Sequence, residues 1–134
     1  MTLDETRRRS PGSAAFRFGD GADLCEQLLS LVRSGAKTAT CGAARDFGDG
    51  EPVPEVGRRD IALNWDGTPA LVIETTEVTR RRFDEVPGDF ALAEGEGTFA
   101  EWREGHIRYF ERNGGWSPDM ELVCERFRLV EDLR

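Results

Sequence analysis

The chain has 134 residues, 38% of them hydrophobic and 33% charged, with a formal net charge of −8 at pH 7. That length suits one domain able to bury its own core, and no apolar run approaches the roughly 18 residues that a membrane span requires. The acidic balance opposes non-specific binding to long nucleic acid, which depends on neutralising phosphates, while leaving room for a local basic cleft or a small ligand.

Residues 1–15 are polar and basic, with Ser, Pro and Gly, and read as a flexible tail; residues 16–134 read as a single domain. Arg7, Arg8 and Arg9 are not followed by an apolar stretch, so this segment does not read as a secretory signal, and the expected location is the cytoplasm. A first helix is predicted over about 20–34, where Leu24, Leu28, Leu31 and Val32 follow the i, i+4, i+7, i+8 spacing of one buried face. Asp20 is expected to cap it, Arg33 suits its negative end, and Gly35 suits a left-handed stop. A short β-prone piece, Lys37-Thr38-Ala39-Thr40-Cys41, comes next, followed by a turn segment over 46–57.

Strands are predicted at 58–65 and about 69–79, joined at Asp66-Gly67, a strong hairpin signal. Apolar residues on both faces of the return strand (Leu71 and Ile73 against Val72 and Val78) mark it as central or as part of a closed barrel. Residues 83–97 hold a short helical piece. Thr98-Phe99-Ala100-Glu101 then has the form of a capping box opening a helix over about 99–113. Phe99, Trp102, His106 and Phe110 form its inner stripe. A last strand is predicted at about 120–130. This order gives an α+β fold: a small mixed, mostly antiparallel β-barrel with two main flanking helices.

Cys25, Cys41 and Cys124 are odd in number and scattered, with one histidine in the chain. Neither a disulfide framework nor a metal site is expected, and Cys25 and Cys124 read as buried thiols. No cofactor motif is present.

Among the residues able to do chemistry, Lys37 comes first. Seventeen of the 18 basic residues are arginine, leaving Lys37 as the single lysine. An amine can lose its proton when desolvated and act as a base, which a guanidinium does not do. Thr38 and Thr40 flank it, and a threonine hydroxyl becomes a nucleophile only when a base takes its proton. A regular strand would put Lys37 and Thr40 on opposite faces, about 10 Å apart along the chain, so their pairing needs a turn or bulge after Gly35. Glu96 sits between Gly95 and Gly97, which permit close backbone approach. It could move a proton or hold the lysine, or serve as a solvated acid near a helix start. Glu74 and Glu125 are charges inside strands and need partners; Arg126, Arg128 or the Arg80–Arg82 run could supply them. His106 and Trp102 share the inner helix face, where packing and ligand contact are both open.

Together, Gly35-Ala36-Lys37-Thr38-Ala39-Thr40, Val56-Gly57, Ile73 to Val78, Gly95-Glu96-Gly97 with Trp102 and His106, and Cys124-Glu125-Arg126-Phe127 resemble the ASCH domain family over about residues 16–131. The chain resembles its longer branch. The resemblance implies a PUA-like fold with a cleft beside Lys37 that binds RNA or a nucleotide- or nucleoside-like ligand. Thr38, Glu74, Trp102, His106, Glu125 and Arg126 would be contact residues. It also implies a possible hydrolase. Small members cleave the amide of an N-acylated cytosine nucleoside, with Lys37 here as base, Thr40 as nucleophile and Glu96 as proton-transfer partner. Others are linked to ribonuclease activity.

Overall fold

The computed structural model describes residues 2–47 and 53–133. The elements are α1 (Leu3–Arg9), β1 (Ala15–Phe16), α2 (Ala22–Ser34), β2 (Ala39–Ala43), β3 (Arg59–Leu63), β4 (Pro69–Arg82), α3 (Gly88–Ala93), α4 (Phe99–Arg112) and β5 (Glu121–Asp132). Part of the 46–57 turn segment lies outside the described residues. The five strands form one sheet in the order β1-β3-β4-β5-β2. β1 pairs parallel with β3, and the other pairings are antiparallel. The α+β, mostly antiparallel architecture expected from the sequence is therefore present. β1 and β2 remain as edges, so hydrogen bonding does not close the sheet and "barrel" holds only loosely. Among the described residues four α-helices accompany it: α2 and α4 are the two main ones the sequence predicts, α3 is the short helical piece expected within 83–97, and α1 is additional.

β4 is central, as its two apolar faces predict. Leu71, Val72 and Ile73 are all at most 2% exposed, and Leu71 and Ile73 lie under α2. One core cluster joins α2 to the sheet through Cys25, Leu28, Leu29 and Val32 packed on Leu71, Ile73 and Phe127. The buried face of α2 is turned slightly from the predicted stripe: Leu24 and Leu31 flank this cluster instead of centring it. The second cluster joins α3 and α4 to β2 and β5 through Phe90, Trp102 and Phe110 on the helices and Ala39, Ala43, Leu122 and Cys124 on the strands. Full burial of each large side chain contributes on the order of 1.5–3 kcal/mol.

Local signals act mostly as read. Gly35 ends α2 with φ 83°, donating to Val32 O. Thr98 and Glu101 form the capping box of α4. The cap of α2 differs: Gly21 is its N-cap with no side-chain bond, and Asp20 binds Arg112 and Asn113 instead. The basic start differs too. Residues 3–9 form a helix with its own Thr2–Glu5 capping box, a buried Thr6 and an Arg9–Glu131 ion pair at 2.6 Å. Among the described residues, no helix is long and apolar enough to cross a membrane.

Candidate functional site

The turn after α2 delivers Lys37 inward. Lys37 N–H donates to Leu31 O at 3.0 Å, and Thr38 N–H donates to Ala93 O at 2.8 Å, tying this turn to the end of α3. The contact requires glycine at 95. Its φ is 78°, and a Cβ there would lie 2.6 Å from Ala36 O. Two loops far apart in sequence thereby meet with little separation, and the residues on either side of Gly95 face the lysine.

Lys37 is 2% exposed and Glu94 is 1% exposed. The Lys37 amine donates to Glu94 Oε1 and to Glu94 O, both at 3.3 Å. The other carboxylate oxygen, Oε2, accepts from Trp102 Nε1–H at 2.7 Å and from Cys41 Sγ–H at 3.3 Å. His106 Nε2 lies 3.5 Å from Glu94 Oε1. Its Nδ1 is 2.8 Å from Trp102 O, so that nitrogen must be the N–H donor to the carbonyl. The imidazole stacks on the Trp102 ring with centroids 4.5 Å apart. Glu96, more open, stands 3.8 Å from Lys37 Nζ and 3.9 Å from His106 Nε2. The result is a compact cluster of two acids, one ammonium and one imidazole, with a tryptophan behind them.

These contacts set the protonation states. Burial alone would raise the Glu94 carboxyl, but Lys37, His106 and the Trp102 N–H outweigh it and bring it down to about 2. Burial would lower His106, yet Glu94 and then Glu96 raise it above its ordinary value. Burial and the Glu94 charge push the Cys41 thiol well up, and the same two causes raise Cys124 to about 12. Ligand atoms of Cys41, Glu94 and His106 lie within 4.8 Å of one another, a donor set suited to a soft divalent ion. However, Lys37 and the Trp102 N–H already occupy both Glu94 oxygens, so the carboxylate's charge is spent inside the protein.

The cluster opens on a cleft of about 650 Å³. Thr40, Cys41, Glu94, Glu96, His106 and Glu125 contribute to its lining, with Phe47 and Tyr109 as half-buried rings and Arg108 and Arg112 as exposed cations. Thr40 lies directly opposite Glu125 across the β2–β5 ladder, so their Cβ atoms are about 4.5–5.5 Å apart. Glu125 also accepts from the Thr75 hydroxyl at 2.8 Å.

The candidates read from the sequence therefore separate. Thr40, Glu96, His106 and Glu125 share the cleft. Lys37 does not line it, and among the described residues its amine meets Glu94, Glu96 and the face of the Phe18 ring, not Thr40. Trp102 is 1% exposed and supports the cluster from behind. Thr38 is exposed and outside the cleft lining. Glu74 pairs with Arg59 and Arg128, and Arg126 with Glu77 and Asp89, both away from the cleft. Glu94 is the residue that sequence reasoning passed over. A signal was available: it stands four residues after Phe90 and three after Ala91, so helical spacing puts it on their buried side.

The family model described as the ASCH domain matches residues 14–131. An ASCH domain from Lactobacillus crispatus is 32% identical with a TM-score of 0.81, the match covering 93% of this chain and 84% of that one. A protein from Enterococcus faecalis is 34% identical with a TM-score of 0.82, over 96% of this chain and 82% of the other. An ASCH protein from Zymomonas mobilis shares the fold alone, at 10% identity and a TM-score of 0.55 over 91% of this chain and 73% of that one. No curated protein matches the chain. With a family model spanning nearly all of the folded region and two similar structures above 30% identity, this chain belongs to the ASCH domain family.

Proposed function

We propose that the cleft binds a nucleoside- or nucleotide-like ligand, either free or as a single unstacked base of RNA. The supporting observation is the mixture of groups around one volume: half-buried rings of Phe47 and Tyr109, acceptor carboxylates of Glu96 and Glu125 beside the Thr40 hydroxyl, and the exposed arginines 108 and 112. A ring face stacks on any base, contributing about 1–3 kcal/mol per base. Carboxylates accept from exocyclic amines and ribose hydroxyls but repel phosphate. The base and sugar therefore belong against the acids, and any phosphate against Arg108, because Arg112 is already paired with Asp20. The net charge of −8 argues for a short ligand over a long RNA track.

The test is calorimetric titration with cytidine, adenosine, uridine and cytidine monophosphate. Cytidine should bind saturably and more tightly than uridine, which lacks the exocyclic amine. Tyr109→Ala should weaken binding by about 1–3 kcal/mol, and Thr40→Val should be mild. An absence of saturable heat with all four ligands at millimolar concentration would overturn the reading.

A second reading is hydrolysis of an N-acylated cytosine nucleoside or of RNA. It is favoured by Thr40 and Glu96 lining the same cleft with Lys37 3.8 Å from Glu96. In this reading Thr40 Oγ attacks the acyl carbonyl as Glu96 takes its proton, and the C–N bond breaks as Glu96 returns that proton to the leaving exocyclic amine. Water then hydrolyses the acyl-threonine ester to free the acid and Thr40. Lys37 holds the acids in place without touching the hydroxyl. Turnover of N4-acetylcytidine, lost in Thr40→Val and in Glu96→Gln, is the expected result. No turnover of that substrate or of a mixed RNA pool by the parent chain removes this second reading and leaves the first intact.

A further inference from the structure

Cys41 and Cys124 are direct partners in the β2–β5 antiparallel ladder. Residues paired in this way project to the same face of a sheet, and their Cα atoms are about 4.5–5.5 Å apart whichever type of ladder position they occupy. A disulfide accepts Cα separations of about 4.4–6.8 Å, so both possibilities fall inside its window. The Cβ atoms of such a pair start about 4.5–5.5 Å apart and need close by only about 1 Å to reach disulfide spacing. Both thiols are free. Two further observations bring the sulfurs together. Cys124 belongs to the core cluster against which Cys41 packs, and each thiol feels the charge of Glu94.

The two cysteines differ in access. Cys41 is half-buried and lines the cleft, whereas Cys124 is 1% exposed. A small oxidant entering the cleft therefore meets Cys41 first, with Cys124 waiting behind it.

We propose that Cys41 and Cys124 form a reversible cross-strand disulfide at the floor of the cleft, with Cys41 as the attacking thiol and Cys124 as the resolving one. A small disulfide such as oxidised glutathione serves as the oxidant. Cys41, as thiolate, attacks one of its sulfurs; the S–S bond breaks, one glutathione leaves as thiolate, and a mixed disulfide remains on Cys41. Cys124, as thiolate, then attacks the Cys41 sulfur and expels the second glutathione. Each cysteine proton passes to solvent and on to a departing glutathione. Two protein thiols are oxidised and one glutathione disulfide is reduced to two thiols. Burial and the nearby Glu94 charge disfavour both thiolates, so the reaction is slow compared with that of an exposed cysteine.

Closing the bridge removes the Cys41 S–H that donates to Glu94 Oε2 at 3.3 Å. The oxidised form thus changes the carboxylate that holds Lys37 and His106. The pair also explains why an odd, scattered set of cysteines gave no disulfide signal in the sequence: positions 41 and 124 meet only through sheet register.

The experiment uses the full chain carrying Cys25→Ser, held folded in oxidised glutathione. Free thiols are then blocked, the intact mass is read, and proteolytic peptides are mapped. A species lighter by two hydrogens, with the Cys41 and Cys124 peptides linked and released by dithiothreitol, is the expected product. Adding Cys124→Ser should trap a lasting glutathione adduct on Cys41. The parent chain without substitutions is run alongside, with near-UV circular dichroism to confirm that it stays folded, and should give the same linked peptides. Both thiols remaining free under conditions that oxidise an unstructured cysteine peptide would overturn the proposal. So would linkage that forms only in urea, or one that joins Cys25.

Discussion

Replacing Lys37 with methionine keeps an unbranched side chain, one heavy atom shorter, and removes its charge from a place where Glu94 is 1% exposed. At 3.3 Å and an effective dielectric of about 20, the lost attraction is about 5 kcal/mol before any relaxation. Trp102, Cys41 and His106 still contact Glu94, which moves the net cost to the lower part of the range for breaking a buried pair, about 3 kcal/mol. Urea unfolding of Lys37→Met should show that loss as a lower midpoint with an unchanged slope. The double variant Lys37→Met/Glu94→Gln removes both charges and should recover part of the loss, giving a coupling of at least about 1.5 kcal/mol in the four-protein cycle. A single-variant cost below about 1 kcal/mol with no coupling, as for a solvated surface pair, would refute the buried ion pair as the organiser of this site.

Stability should fall at both ends of the pH range, for opposite reasons. Glu94 is held at about 2 against an ordinary 4.5; its contribution is full above the unfolded value and is lost as pH falls through that interval, and Glu94→Gln should flatten this acid limb. His106 is raised above 6.5; its contribution is full below 6.5 and is lost as pH rises through the folded value. Because the chain has one histidine, its two imidazole C–H signals report it by NMR without overlap from other histidines, and a midpoint at or below 6.5 would contradict the contact with Glu94. Gly95→Ala should destabilise by more than about 1 kcal/mol, since it combines positive φ with a Cβ 2.6 Å from Ala36 O. A neutral result in thermal unfolding would mean that the two loops do not meet this closely.

Much of the scaffold was legible because local chemistry decided it. The Thr98–Glu101 box, the Gly35 stop and the Asp66-Gly67 turn act within a few residues of themselves. The same kind of signal lay unread at Thr2–Glu5, where a basic composition outweighed a capping box that opens a real helix. The site was less legible because its bonds are long-range. Lys37 stood out by its rarity, but its partner is 57 residues away. Glu96 attracted attention through its flanking glycines, while the Gly95 contact with Ala36 favours burial of the neighbouring Glu94. Asp20 looked like a cap and is used by Arg112, 92 residues on. The 41–124 pairing depends on the register between β2 and β5, which no spacing along the chain reveals.

The most direct measurement is an NMR titration of the labelled chain with cytidine. The account predicts saturable shifts centred on Thr40, Glu96, His106 and Glu125, including the single imidazole, with the Arg80–Arg82 edge unmoved. Shifts confined to that arginine edge, or none in the cleft up to millimolar nucleoside, would contradict it.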